Sequence, residues 1–321
     1  MPPRIFPPAL QPGDAVGLAA PASPFDRRAF DAGVAALQRL GFRVRYTPRV
    51  FEVQRYLAGS DAARADELHR LFADPQVKAI FCCRGGYGAQ RLLPLLDPAL
   101  IRAHAKIFVG YSDLTSLLLY FYSQCRLISF HGPVVAGELS RGLAPATQRQ
   151  LLGVLGGDAQ AMQPPPSRLA TLRVLRPGEA EGPLLGGCLS LLVCTLGTPF
   201  QPCTRGAILF LEDRGERLYA IDRMLTHLRL AGALEGVRGV VFGQHEAVAA
   251  DRRQPYGLAE VLLDVLGDLE VPILCGFPAG HCRQPLTLPI GARVAIRDGR
   301  LVLCEVPVTP RPLEPERRAG R

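Results

Sequence analysis

Apolar and polar positions in the first third of the chain predict strands and helices in alternation. A strand, a helix, a strand and a helix are predicted in turn at residues 14–23, 25–42, 43–48 and 60–75. Residues 77–96 and 105–124 each predict a buried strand, a turn and a helix. This alternation favours a parallel, doubly wound sheet, whose functional groups lie at the carboxyl ends of its strands.

The pattern returns in the second half, after a stretch of different composition. Residues 138–183 are rich in Gly, Pro, Ala and Gln and are interpreted as a connector or an active-site flap. Beyond it, the pattern predicts a strand at residues 206–216 and a long helix at 218–234. Two more strands are predicted at 236–244 and 272–281, and a hairpin through Asp298-Gly299 at 286–305.

Together these patterns predict an α/β protein with its active site in a cleft between two domains. The N-terminal domain is a parallel, doubly wound α/β unit, and the C-terminal domain is an α/β unit with β-hairpin elements. The N-terminal domain is predicted at residues 1–137 and the connector or flap at 138–183. The C-terminal domain is predicted at 184–308, followed by a flexible tail at 309–321.

Composition narrows the class of protein. Of 321 residues, 48% are hydrophobic, which is typical of a globular chain. No apolar run is long enough to span a bilayer, and the first residues lack the pattern of a signal peptide. We therefore expect a cytoplasmic protein that does not act at a membrane.

Charge and cysteine usage argue against a nucleic-acid-binding, disulfide-bonded or metal-dependent protein. The net charge of +8 comes from arginines scattered along the chain, so it favours a small anionic substrate over nucleic acid. The nine cysteines form no CxxC pair, and most lie in apolar runs, which indicates reduced, buried thiols. No group of His, Cys, Asp and Glu has the spacing of metal ligands, and we expect neither a metal nor a cofactor.

Three side chains suited to acyl transfer follow predicted strands: Ser112, Glu212 and His281. A serine hydroxyl needs a nearby imidazole to take its proton, and a carboxylate to fix the imidazole tautomer. These residues are the candidate nucleophile, acid and base. Because such triads occur in several chain orders, the sequence alone does not show that the three meet.

Ser112 has a simpler alternative role. A serine between a strand and a helix is commonly the N-cap of that helix. The preceding Gly110-Tyr111 resembles the tight turn of a nucleophile elbow, but Leu114 stands where that motif has its second glycine.

The acid and the base also have rivals. Asp213 and Glu216 lie in the same loop as Glu212, and His131 in "SFHGP" is the second candidate imidazole. The remaining histidines are expected to be structural: His69, His104, His227 and His245.

A glycine-rich turn, "CRGGYGAQRLL" at residues 83–93, joins a predicted strand to a predicted helix. Bare backbone N–H groups at such a turn can bind phosphate, but the turn matches neither GxGxxG nor a Walker A motif. The same geometry can supply an oxyanion hole, with the N–H of Asp113 as the partner donor.

Taken together, the motifs resemble the LD-carboxypeptidases, the S66 serine peptidases. The segments that carry the resemblance run in order from the N-terminal "LQPGDAVGLAAPASP" through "RGGYGAQRLLPLLD", "GYSDLTSLL", "HGPV", "GGCLSLL" with "LGTPF", "LFLEDRGERLYAIDRMLTHLRLAG" and "GFPAGH…LTLPIGARV". They cover nearly the whole chain.

The resemblance implies a Ser112 nucleophile, a Glu212 acid, a His281 base, and an oxyanion hole at the N–H groups of Gly86 and Asp113. It implies an enzyme, often a homodimer, that cleaves the bond between a diamino acid (meso-diaminopimelate or lysine) and the terminal D-alanine of murein tetrapeptides. That activity belongs to cytoplasmic cell-wall recycling.

Substrate contacts are less defined by the resemblance. Arg84, Tyr87 and His131 are the candidate substrate-binding residues, with a structural ion pair as the alternative for Arg84. Cys188 stands where many members of the family have asparagine. Members also often carry an asparagine between the histidine and the "TLP" turn, and this chain has Cys282-Arg283-Gln284-Pro285 there.

Two other functions stay open at this point. A branch of the same family hydrolyses peptidyl-nucleotide antibiotics and provides self-immunity. In a different class, the glycine-rich turn could make the chain a non-catalytic phosphate- or nucleotide-binding module.

Overall fold

The computed structural model describes residues 3–159, 163, 166–245 and 251–311. Its strands form two sheets, of six and seven strands. None of the helices in the described ranges combines the length and apolar character needed to cross a membrane.

The first sheet is built mainly from the N-terminal third of the chain. Its strands are β1 (Ala15–Ala19), β2 (Arg43–Arg45), β3 (Val77–Cys82), β4 (Ile107–Gly110), β5 (Ser129–His131) and β11 (Leu288–Ile290). They lie in the order β11-β5-β4-β3-β1-β2. Strands β1 to β5 are parallel, whereas β11 comes from the far end of the chain and pairs antiparallel with β5.

The second sheet comes from the C-terminal half. Its strands are β6 (Arg173–Arg176), β7 (Ala180–Cys188), β8 (Ile208–Glu212), β9 (Gly239–Gly243), β10 (Ile273–Phe277), β12 (Arg293–Arg297) and β13 (Arg300–Leu303). They lie in the order β13-β12-β7-β8-β9-β10-β6, with a parallel centre from β7 to β10 and antiparallel strands outside it.

Helices follow the strands in both halves. The α-helices are α1 (Arg27–Arg39), α2 (Asp61–Ala73), α3 (Pro98–Ala103), α4 (Thr115–Cys125), α5 (Pro145–Gly156), α6 (Leu189–Val193), α7 (Leu218–Leu230) and α8 (Leu258–Leu266). Polar side chains begin several of them: Asp26 accepts from the N–H of Ala29 at 2.9 Å, and Ser60 from that of Ala63 at 3.2 Å.

The first sheet is covered on both faces because its strands are apolar on both. In β3, Ala79 and Phe81 pack in one cluster with Phe30 of α1. The alternate residues Ile80 and Cys82 pack in the other cluster, which includes α2 and α4. The predicted mixed α/β fold with parallel strands is therefore confirmed.

One local prediction differs from the structure. The predicted helix after the glycine-rich turn is a 3₁₀ helix, Ala89–Leu95, with Pro94 inside it, a residue that cannot continue an α-helical hydrogen-bond ladder. The predicted connector at 138–183 holds α5, β6 and the start of β7. The bounds at 137 and 184 stay predictions.

The predicted flexible tail begins with ordered residues. Thr309 accepts a hydrogen bond from the N–H of Ala9 at 2.9 Å, and Arg311 forms an ion pair with Asp14 at 2.7 Å. The rest of the tail lies outside the described residues. The hairpin through Asp298 and Gly299 is confirmed, with both residues at positive φ, as a two-residue hairpin turn requires.

Candidate active site

Ser112 lies in a sharp turn between β4 and α4. Its φ is 66°, a left-handed value that costs a non-glycine residue free energy and is typical of a nucleophile elbow. Ser112 begins a short 3₁₀ turn, whereas Leu114 is the N-cap of α4. The N-cap alternative is therefore wrong, because Leu114 occupies that position and the Ser112 hydroxyl lies against His281 instead.

The three candidate side chains form one chain of hydrogen bonds. The Nε2 atom of His281 lies 3.1 Å from Oγ of Ser112, and its Nδ1 atom lies 2.7 Å from Oε2 of Glu212. The backbone N–H of His281 also donates to Oε2, at 3.0 Å. This arrangement orients the imidazole so that Nε2 faces the serine, as proton transfer requires.

Glu212 is buried completely, at the last residue of β8. Burial raises its pKa, but the imidazoles of His131 and His281 outweigh that effect and lower the pKa to about 2. The carboxylate is therefore ionised throughout the pH range in which an imidazole can act as a base.

The two other candidate acids, Asp213 and Glu216, lie in different settings from Glu212. Asp213 accepts from the backbone N–H of Ser190 at 2.7 Å and of Arg214 at 2.8 Å, so it holds the start of α6 and its own loop. Burial raises the pKa of the half-buried Glu216. Neither carboxylate bonds His281.

The glycine-rich turn packs directly on the serine. A Cβ atom added to Gly85 would come within 2.9 Å of Cβ and 3.2 Å of Oγ of Ser112, so only glycine permits this approach. The next residues are held by Ser23, whose Oγ accepts from the N–H of Tyr87 at 3.0 Å. Ser23 therefore anchors the glycine-rich turn next to the residue, Gly85, that packs on Ser112.

The carboxylate of Asp113 ties the same turn to the serine loop. Its Oδ2 accepts from the backbone N–H of Ala89 at 2.8 Å, and the Asp113 side chain is buried. Burial raises the pKa of Asp113, while hydrogen bonds from Ala89 and Gly88 oppose that rise. Asp113 thus has a side-chain role in addition to the backbone role predicted from the sequence.

We expect Asp113→Ala to lower the free energy of unfolding by roughly 2 kcal/mol, because it leaves a buried N–H group without an acceptor. Displacement of the turn should lower kcat/KM about tenfold. Asp113→Asn keeps an acceptor oxygen and should retain most of both quantities. Urea unfolding and steady-state kinetics measure them; equal losses in the two variants would contradict this role.

A cavity of about 920 Å³ opens beside His281, a volume in the range of small-molecule sites. Several of its lining side chains are cationic or aromatic: Tyr111, Arg141, Arg214, His245, Arg252 and Arg283. The lining also holds two carboxylates, Glu138 and Asp251, so its four arginines leave an excess of positive charge that favours an anionic ligand next to His281.

The substrate-binding candidates lie in three different settings. Arg84 is exposed and donates to the carbonyl of Pro24 at 2.8 Å, an interaction with a neutral group rather than a salt bridge. Tyr87 is 53% exposed and packs edge-on against Tyr56, with ring centroids 5.4 Å apart. His131 is only 1% exposed, so its side chain does not face the cavity.

Two residues of the site were missed by the sequence analysis. The ring of Tyr111 lies 4.9 Å from that of His281, and its hydroxyl donates to Glu138 at 2.8 Å. His245, expected to be structural, lines the cavity. Its position just after β9, at the same sheet edge as Glu212, was the available signal.

Cys188 and Cys282, the two cysteines singled out in the sequence, lie near Glu212. Cys188 is buried, and its backbone N–H donates to Thr115 at 3.0 Å. Cys282 lines the cavity, and burial raises its pKa to about 11. Both are neutral thiols near pH 7.

Comparison with known proteins places this geometry in a family. The LD-carboxypeptidase N-terminal domain matches residues 16–132, and the LD-carboxypeptidase C-terminal domain matches residues 181–296. The Probable murein peptide carboxypeptidase of Bacillus subtilis is 40% identical over 295 residues, covering 90% of this chain and 91% of that protein.

Two further similarities extend the comparison. The Microcin C7 self-immunity protein MccF of Escherichia coli is 31% identical over 317 residues, covering 89% of this chain and 91% of its own length. The crystal structure of muramoyltetrapeptide carboxypeptidase from Oxalobacter formigenes is 27% identical, with a TM-score of 0.77, and covers 89% of this chain and 97% of that chain. The chain belongs to the LD-carboxypeptidase family of S66 peptidases and is a serine carboxypeptidase.

Proposed function

We propose that this enzyme removes the terminal D-alanine from murein tetrapeptides by cleaving its amide bond to a diamino acid. The observation that carries the proposal is the hydrogen-bonded chain from Ser112 through His281 to Glu212. The 40% identity to a protein named as a murein peptide carboxypeptidase supports the choice of substrate.

The reaction follows from the positions of these groups. Ser112 Oγ attacks the scissile carbonyl carbon while Nε2 of His281 takes the hydroxyl proton. Glu212 stabilises the resulting imidazolium. His281 then protonates the amine of D-alanine, which leaves, and an acyl-enzyme forms on Ser112. Water, deprotonated by His281, hydrolyses this ester and restores the serine.

The negative oxygen of each tetrahedral intermediate needs preorganised donors. We assign this role to the backbone N–H groups of Gly86 and Asp113. Support comes from the packing of Gly85 against Ser112 and from the anchoring of the turn by the Asp113 carboxylate. Because both donors are backbone groups, side-chain substitution at Asp113 tests the anchor and not the donor.

The cavity beside His281 suits the anionic character of a murein peptide. Arg214 and Arg283 are exposed cations on its lining. Arg141 is less available because its guanidinium bonds the buried Glu138. We therefore assign the free carboxylates of the substrate to this face of the site.

The direct experiment is incubation of the purified protein with a disaccharide tetrapeptide and quantification of released D-alanine. We expect release from a tetrapeptide ending in D-alanine, with none from the same peptide ending in L-alanine. Treatment with EDTA should leave the rate unchanged. Absence of D-alanine release by folded protein would contradict the proposed substrate.

A second function within the family is an immunity-type amidase that acts on peptidyl-nucleotide antibiotics. The similarity to MccF favours it, and the 920 Å³ cavity has room for a large leaving group. Faster cleavage of an aminoacyl sulfamoyl adenosine than of the tetrapeptide would select this function. The phosphate-binding module has no support, since the chain belongs to a family of hydrolases.

We further propose that the protein acts in the cytoplasm as a homodimer, as its resemblance to the family implies. Light scattering of the purified protein at micromolar concentration measures the oligomeric state.

A further inference from the structure

Glu212 lies between two imidazoles rather than beside one. Its Oε2 atom bonds His281, while its Oε1 atom lies 3.6 Å from Nε2 of His131 on the other side. Both Glu212 and His131 are buried, at 0% and 1% exposure. The acid of the proposed triad is therefore enclosed by a second histidine that substrate does not reach.

His131 is held rigidly by the first sheet. It ends β5 and pairs with Gly110 of β4 on one side and Leu288 of β11 on the other. Its ring packs between Tyr111 and Phe210, with centroids 5.5 and 5.1 Å away. The polar group nearest to Nε2 in this packed position is the Glu212 carboxylate, at 3.6 Å.

The polar atoms of His131 and Glu212 at this contact form no hydrogen bond with other groups in the described residues. Within the described part of the chain, neither ring nitrogen of His131 nor Oε1 of Glu212 has a hydrogen-bond partner. Buried polar atoms without partners are costly, and a shift of about 0.6 Å would bring Nε2 and Oε1 to hydrogen-bond distance. A hydrogen bond from Nε2 to Oε1 would satisfy both of these atoms if His131 carries its proton on Nε2, and it leaves Nδ1 without a partner among the described residues.

We infer that His131 is a positioning residue, which donates from Nε2 to Oε1 of Glu212 and holds the carboxylate plane toward His281. The inference rests on the proposed catalytic role of His281. His131 touches neither the serine nor the cavity, so it acts only through Glu212.

The titratable groups around Glu212 show which side chains stabilise its negative charge. The titratable groups that face it are His131, His281, Tyr111, Cys188 and Cys282. Burial raises the pKa of the tyrosine and of both thiols, so these three are neutral near pH 7. The two imidazoles are therefore the groups that oppose the effect of burial on Glu212.

Loss of the donor at His131 changes the reactivity of Ser112 through Glu212. Burial raises the pKa of Glu212, and the imidazoles of His131 and His281 lower it. Without His131, burial is opposed by one imidazole only, so the pKa of Glu212 rises and the carboxylate loses the donor that holds its plane toward His281. A displaced carboxylate stabilises the imidazolium of His281 less, so Ser112 becomes less reactive near neutral pH.

The test uses labelling of Ser112 by a fluorophosphonate, which needs a reactive serine but no particular substrate. Second-order rate constants are measured from pH 4 to 9 for the native protein, His131→Phe and His131→Gln. Phenylalanine keeps the aromatic packing without a donor, whereas glutamine keeps an N–H donor.

We expect His131→Phe to label about tenfold more slowly than the native protein near neutral pH. His131→Gln should restore most of the native rate. A role in packing alone would leave His131→Phe at the native rate, or would slow His131→Gln at least as much as His131→Phe, and either result would overturn the inference.

A measurement on the native protein covers the case in which the variants do not fold. Assigned ¹⁵N-histidine spectra should show His131 protonated at Nε2, and an unprotonated Nε2 would overturn the inference. Labelling of Ser112 without D-alanine release would contradict only the proposed substrate. Failure of native Ser112 to label would count against both proposals.

Discussion

Replacing Ser112 with alanine is expected to lower kcat/KM for D-alanine release by about 10⁴-fold or more. The hydroxyl oxygen of Ser112 is the proposed nucleophile, and Nε2 of His281, the proposed base, lies 3.1 Å from it. The binding groups and the proposed oxyanion donors remain in the variant, so substrate affinity should change little while turnover is lost.

Ser123 supplies a matched control for this variant. It lies near the end of α4, the helix that Ser112 precedes, and its hydroxyl bonds the carbonyl of Tyr120 at 3.4 Å. Ser123→Ala should keep activity within about twofold of the native value, as expected for a peripheral hydroxyl. Substantial D-alanine release by Ser112→Ala, after exclusion of contaminating enzyme, would contradict the proposed nucleophile.

Replacing Gly280 with alanine is expected to lower kcat/KM by about 10³-fold, although residue 280 carries no functional group. A Cβ atom there would lie 2.5 Å from Cγ and 2.6 Å from Cδ of Glu212. Non-bonded carbon atoms do not approach so closely, so the Glu212 carboxylate must move from its position beside His281. The triad would then lose its acid without any change in the three catalytic side chains.

Backbone strain is the competing explanation, because Gly280 has a φ of +89°. Gly13 has a closely similar φ of +85°, and a Cβ there would meet nothing within 4 Å. Gly13→Ala should therefore cost about 1 kcal/mol of stability while keeping activity. Kinetics and thermal unfolding of both variants separate the effects; a Gly280→Ala enzyme of native activity would show that Glu212 tolerates displacement.

Local sequence patterns were sufficient for most of the fold. Apolar runs of strand length, followed by amphipathic helices, predicted β1, β3, β4 and their helices, because each pattern reflects burial within a few residues. The error at Ala89–Leu95 was also local, since Pro94 prevents an α-helix there. The antiparallel addition of β11 to the first sheet was not predicted, because it joins residues about 160 positions apart.

The candidate site was predicted in outline for a related reason. Parallel strands end at one sheet edge, so a serine, an acid and a histidine that each follow a strand are brought to the same region. The order of the family motifs strengthened this prediction. The left-handed turn at Ser112 was not visible, because a serine in a strained elbow and a serine at an N-cap have similar neighbours in sequence.

The sequence by itself determined which residue types stand at the ends of the strands, and therefore the class of chemistry. The tertiary structure alone decided among the rivals. It paired Glu212 with His281, assigned Asp213 to the start of α6, and buried His131 behind the acid. These pairings depend on which side chains come within hydrogen-bond distance of one another. The position of a residue in the chain specifies the sheet edge at which it lies, but not the side chain that it meets there.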